Sequence, residues 1–284
     1  ITIGRKVPFD AVGIDSNQVH LNLKDRIFID ASVIDDSTIE ARFRSHQPEF
    51  DEQFLLRKTN QYPNFNRPQT PIPPYNYESI DINYYDSTTQ LKYGGTLTVP
   101  KKLSKVVKYP AIILLSGSEP DDRDNTFGAH KLFKVLADYL TNQGFAVLRT
   151  DDRGVGDTEG DFKKATFNDL VEDAAAAVRF LKTRPEVDTT KIGLLGHSEG
   201  GLVAPALAAR DKTIRFLVLM AAPAIRYKEI IVQQLKNNKI SGVNAATTDS
   251  AFLNNLAEGI MRSTAGYQSL SDYEPAGTLA KLKI

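Results

Sequence analysis

The chain has 284 residues, 41% hydrophobic and 25% charged, with 35 basic residues against 35 acidic ones. Balanced charge argues against a nucleic-acid protein, which carries a basic face, and no apolar run approaches the ~20 residues that cross a bilayer. Cysteine is absent, which excludes disulfides, thiolate metal sites and a cysteine nucleophile.

Short alternating stretches come first. Val19–Leu23, Arg26–Asp30, Thr38–Phe43 and Phe50–Leu56 alternate or carry charged ends, the pattern of half-buried antiparallel strands. Residues 1–60 therefore read as a small β-rich domain, incomplete at its start. Ile1 is not a methionine, so the natural N-terminus and any signal peptide are expected upstream. The compartment stays open, with the cell envelope and export both compatible. Residues 61–76 hold Pro63, Pro68, Pro71, Pro73 and Pro74, and proline at this density predicts a stiff linker.

From residue 77 the pattern changes. Tyr77–Tyr85 and Leu91–Val99 predict two strands about a polar turn. Ala111–Leu115, Phe145–Leu148, Ile192–Leu195 and Phe216–Met220 are continuous apolar runs, suited to strands buried on both faces of a parallel sheet. Lys131–Asn142 and Phe167–Thr183 carry apolar residues at spacings of three and four, the mark of core-facing helices. Alternating strands and helices give an α/β doubly wound sheet over 77–284.

Gly196-His197-Ser198-Glu199-Gly200 stands directly after a strand and before a helix. That context makes Ser198 a candidate nucleophile on a sharp turn, with small residues at Gly196 and Gly200 letting strand and helix approach. The plain alternative is a glycine-rich turn with a capping serine. Nothing in the sequence accounts for Pro205 inside the following helix. After the Ala111–Leu115 strand, Ser116-Gly117-Ser118-Glu119-Pro120-Asp121 occupies the place of an oxyanion loop. The N–H groups of Ser118 and Glu199 are the predicted donors, with Gly117 allowing close approach. An ordinary acidic turn is the alternative, and the spacing lacks the glycine and terminal glutamate of a calcium loop. Asp151-Asp152-Arg153-Gly154 ends another strand, and its charges either hold loops together or line the site.

Taken with Asp122-Arg123-Asp124, His130-Lys131 and Ala137–Leu140, these motifs resemble two-domain bacterial α/β-hydrolases, serine esterases with a β-rich N-terminal domain. The resemblance covers residues 65–284 well and the N-terminal region loosely. It implies cleavage of small carboxylic esters through an acyl-enzyme, with no cofactor and no metal. One departure stands out. The family's loop reads Gly-Ser-Gly-Pro-Gln, whereas here Glu119 and Asp121 replace the second glycine and the glutamine.

In this fold the acid and histidine follow the serine. The histidines are His20, His46, His130 and His197, and none follows Ser198. Residues 223–284 instead predict helices around 225–239 and 252–262, resembling a lid. Within them Ile225, Ile230, Ile231, Leu235, Phe252, Leu253, Leu256 and Ile260 recur at helical spacing; half or more are expected in the core and the others at a pocket. The sheet is expected to resume beyond residue 284 with the strands bearing acid and histidine. The alternatives to an esterase are a non-catalytic binding module that keeps the fold, or a serine peptidase.

Overall fold

The computed structural model describes residues 11–15, 17–23, 27–46, 49–58, 67–101, 108–127, 129–237 and 250–282. The predicted linker's first part, residues 61–66, lies outside them. The chain divides into two compact units, one of Ile1–Asn66 with Lys228–Glu258 and one of Arg67–Tyr227 with Gly259–Ile284.

The first unit holds a five-stranded antiparallel meander in the order β1(Ala11–Asp15), β2(Gln18–Leu23), β3(Ile27–Asp35), β4(Thr38–His46) and β5(Glu49–Arg57). Pairing Ala31 with Ala41 and Ile29 with Phe43 puts the apolar members of the alternation on one face. There Ile29, Ala31 and Ala41 are buried, with Val19, Leu21, Ile39 and Phe43 packed against them. Charges ladder across the other face: His20 to Asp30 at 2.6 Å and Arg42 to Asp51 at 2.7 Å. Strand β1 is one more than the sequence pattern predicts.

The second unit is built on β6(Tyr77–Asp86), β7(Leu91–Pro100), β8(Tyr109–Leu115), a small ribbon β9(Thr126–Phe127) with β10(His130–Lys131), β11(Ala146–Thr150), β12(Val187–His197) and β13(Ile214–Met220). Six of these form one sheet, ordered β13-β12-β8-β11-β7-β6. The first four run parallel and the last two antiparallel. The predicted buried runs are its centre: Ile112, Ile113, Val147, Leu148, Leu194 and Ile192 are at most 2% exposed.

Helix α1(Leu132–Asn142) packs Phe133 and Ala137 onto Ile112, Leu114, Val147 and Leu195. Because side chains alternate along a strand, Ile113, Leu148 and Leu194 point to the opposite face. Helices α2(Phe167–Lys182) and α3(Gly200–Arg210) touch each other and the sheet there. A capping box starts α2, with Thr166 and Asp169 each accepting the other's backbone N–H. Arg179 ties α2 to β6 through Asp86 at 2.7 Å.

The register carries function. Gly196 pairs with Leu115 and His197 with Met220, while Arg149 pairs with Leu114. The loops after β8, β11, β12 and β13 therefore leave the sheet at one edge. Helices α4(Tyr227–Lys236), α5(Ser250–Met261), α6(Ala265–Ser269) and α7(Pro275–Leu279) follow. Of the periodic apolar residues in α4 and α5, Ile231, Leu235 and Leu253 are buried and Phe252 is exposed. No helix among the described residues is long and apolar enough to cross a membrane.

Leu148 has no exposed surface at the sheet centre. Leu148→Ala is expected to lower stability by about 2–5 kcal/mol, the usual cost of a cavity left by a buried leucine. Chemical denaturation of wild type and variant, with similar m-values, measures it.

Candidate active site

Ser198 occupies the turn between β12 and α3 with φ of 53°, a left-handed conformation that side-chain-bearing residues seldom adopt. The turn is held from both sides: Ser198 N–H donates to the Met220 carbonyl at 3.0 Å, and its carbonyl accepts the Gly201 N–H at 2.9 Å. Close approach explains the flanking glycines. A Cβ on Gly196 would stand 2.1 Å from the Gly200 carbonyl oxygen, and one on Gly200 2.4 Å from the Leu115 carbonyl oxygen. Neither has room for a side chain.

The loop after β8 reaches the serine. A Cβ on Gly117 would lie 3.4 Å from Ser198 Cβ and 3.8 Å from its Oγ. Glycine here keeps open the space beside the hydroxyl. Ser118 and Glu199, the predicted oxyanion donors, flank this contact. The Ser118 hydroxyl is 2.9 Å from the Tyr227 hydroxyl. Glu199 is 3% exposed. Burial pushes its carboxyl up to about 6, opposed by a hydrogen bond from Ser118 and assisted by the nearby Glu119.

Asp152 brackets the same loop. Its carboxylate accepts the Ser116 hydroxyl at 2.7 Å and the Asp121 N–H at 2.8 Å, and its own N–H donates to the Asp121 carbonyl at 3.0 Å. The residue keeps some accessible surface, but protein atoms surround the carboxyl, and this desolvation outweighs both donors and lifts it to about 8. Its neighbours are ion-paired instead. Buried Asp151 accepts the Arg123 N–H at 2.8 Å and its guanidinium, Arg153 bonds Asp173 at 2.6 Å, and buried Arg149 pairs with Asp124. Most of this motif is thus scaffolding. A cavity of about 50 Å³ lies among Ser116, Gly117, Asp152, Asp173, Glu199 and Val203.

The histidines stand elsewhere. His20 pairs with Asp30 in the first unit, and the His46 side chain is outside the described residues. His130 is exposed on the short ribbon before α1. His197 Nδ1 is buried without a hydrogen-bond partner, and burial lowers the ring's pKa. Among the described residues the Ser198 hydroxyl has no hydrogen-bond partner, and no group of three His, Asp or Glu is arranged to hold a metal. Sequence reasoning missed Tyr227 and Tyr267. Nothing at residue level marks a tyrosine that meets a serine 109 positions away.

The family profile described as Hydrolase_4, serine aminopeptidase S33, matches residues 129–265. A solved DcsB complex superposes with a TM-score of 0.51 at 21% identity, over 72% of this chain and 77% of that one. The α/β-hydrolase GrgF from Penicillium sp. sh18 does so at 0.51 and 18%, over the same shares. The chain has the α/β-hydrolase fold. Esterase EstD of Thermotoga maritima is 33% identical over 165 residues, 58% of this chain but 37% of EstD. The chain thus spans little more than a third of that relative's length.

In this fold the Asp152 bracket has a measurable signature. An unfolded aspartate titrates near 3.9, whereas Asp152 in the fold titrates at about 8. Between those values the folded state holds a proton the unfolded chain has released. The contribution is therefore present in full below about pH 4 and is lost as pH rises through about 8. Asp152→Asn removes the titration. Denaturation midpoints from pH 5 to 8 are expected to fall more steeply for wild type than for this variant.

Proposed function

We propose that this α/β-hydrolase cleaves small carboxylic esters through an acyl-enzyme on Ser198. The observation that carries the reading is the strained Ser198 turn with the Gly117 loop laid against its hydroxyl. The esterase named among its relatives points the same way.

In this reading the Ser198 hydroxyl attacks the ester carbonyl. Charge develops on the carbonyl oxygen, and fixed backbone donors stabilise it. Ser118 and Glu199 supply those N–H groups, with the amino end of α3 adding a favourable dipole. The alcohol then leaves, and water hydrolyses the acyl-serine. A neutral serine hydroxyl needs a base; none of the four histidines of this sequence is assigned that role. Residues 77–284 are assigned to the hydrolase domain with 223–284 its lid, and residues 1–60 to a β-rich domain joined through 61–76, although Lys228–Glu258 of the lid group with residues 1–66 as one compact unit.

A fluorophosphonate probe tests the assignment on the protein expressed from its complete gene. Wild type is expected to be labelled and to hydrolyse p-nitrophenyl acetate, and Ser198→Ala to lose both. Equal labelling of the variant sinks the nucleophile. Turnover of an aminoacyl p-nitroanilide but not of the ester would move the substrate from esters to peptides.

A further inference from the structure

Both proposed oxyanion donors are backbone groups, so their aim depends on what holds the residues that carry them. We infer that Tyr227 and Tyr267 are positioning residues for the oxyanion hole, acting through the Ser118 hydroxyl and the Glu199 carboxyl. This rests on the reading of Ser198 as nucleophile with Ser118 and Glu199 as donors.

The four side chains form one series. The Ser118 hydroxyl hydrogen-bonds the Glu199 carboxyl on one side and the Tyr227 hydroxyl, at 2.9 Å, on the other. The Tyr227 and Tyr267 hydroxyls are hydrogen-bonded in turn, and their rings stack with centroids 5.4 Å apart and planes 29° from parallel. Each hydroxyl has one proton to donate. With Glu199 ionised, Ser118 donates its one proton to the carboxylate, and its oxygen accepts from the tyrosines, Tyr227 at 2.9 Å and Tyr267 beside it.

The series acts at the middle of the loop. Asp152 holds Ser116 and Asp121, the two ends of the loop. Between them, the Ser118 side chain is held by Glu199 and Tyr227. Displacement of residue 118 would carry its N–H off the oxyanion, and it would break these bonds. The other donor residue is Glu199 itself, so one series of hydrogen bonds fixes both donors against each other. All four residues belong to the second unit, Tyr227 opening α4 and Tyr267 lying in α6.

An oxyanion contact strengthens in the transition state, so its misplacement shows in kcat and leaves KM nearly unchanged. Outright loss of a donor costs about 10²–10³-fold in kcat; loss of its alignment is expected to cost on the order of tenfold. Tyr227→Phe keeps the ring and its stacking and removes only the hydroxyl. On the protein expressed from its complete gene, Tyr227→Phe and Ser118→Ala are each expected to lower kcat for p-nitrophenyl acetate about tenfold with KM within about twofold. Tyr227→Phe should add nothing in the Ser118→Ala background, because the link is already cut. Ser118→Thr, which keeps the hydroxyl, should retain most of the rate. A wild-type kcat for Tyr227→Phe, or additive losses in the double variant, overturns the inference. Should Tyr227→Phe fail to fold, Ser118→Ala against Ser118→Thr decides the question, and equal rates overturn it. Full activity of Ser198→Ala defeats the nucleophile reading instead. An inactive Ser198→Ala beside an undiminished Tyr227→Phe defeats the positioning role alone.

Discussion

The active edge of this protein depends on the absence of two side chains. Gly196 and Gly200 face each other across the turn, so close that a methyl group on Gly196 would overlap the Gly200 carbonyl. That contact lets α3 begin two residues after Ser198 and forces the serine into its left-handed conformation. The space a side chain on Gly200 would need is filled by the carbonyls of Leu115 and Ser116. The packing that sharpens the turn therefore also draws the loop after β8 toward Ser198. Strain at such a position costs on the order of 1–3 kcal/mol. It persists because β12 lies between two parallel partners, with Leu194 wholly buried and Leu195 nearly so.

Charge around this edge is set by the contest between a nearby cation and burial. Asp151, Asp124 and Asp86 each meet an arginine, and their carboxyls are held below the ordinary range. Asp152 and Glu199 receive neutral donors, and burial drives both upward. Opposite charge and desolvation act in opposite directions on a carboxyl; at Asp173, paired with Arg153 at 2.6 Å, burial still wins and the carboxyl is raised. The paired acids are framework: Arg123 alone links Asp151, Asp157 and the Gly95 carbonyl. Asp152 and Glu199 are the raised acids that contact the loop holding Gly117 and Ser118.

Patterns of local origin were legible in the sequence. The buried strands announced themselves as unbroken apolar runs, and the turn at Ser198 as glycines at fixed offsets between a strand and a helix. Strand β1 was not legible, because Ala11–Asp15 is five residues with a glycine at its centre. Pro205 reads as a helix breaker, yet α3 runs through it. The proline leaves the Gly201 carbonyl without its usual N–H donor, and one residue on, the Leu202 carbonyl accepts the Tyr273 hydroxyl at 3.1 Å. Contacts such as Ser118 with Tyr227 join segments far apart in the chain. No periodicity encodes them.

The departure from the family's loop motif shows why the site tolerates change at one level and not at another. Asp121 stands where a glutamine is usual, but Asp152 grips the backbone of residue 121, its N–H and its carbonyl. A backbone contact is blind to the side chain, so the frame survives the substitution. The Asp121 carboxylate is taken up separately by the Asn125 amide at 2.6 Å. Glu119 has a different effect. Its charge adds to the burial that raises Glu199, the acid on which the Ser118 hydroxyl rests. Of the two altered positions, residue 121 changes a side-chain partner and leaves the loop's shape alone, and residue 119 acts on the acid beside Ser198. Burial sets the upward shift of Glu199 and residue 119 adds to it, while residues 116, 121 and 152 hold the loop's geometry.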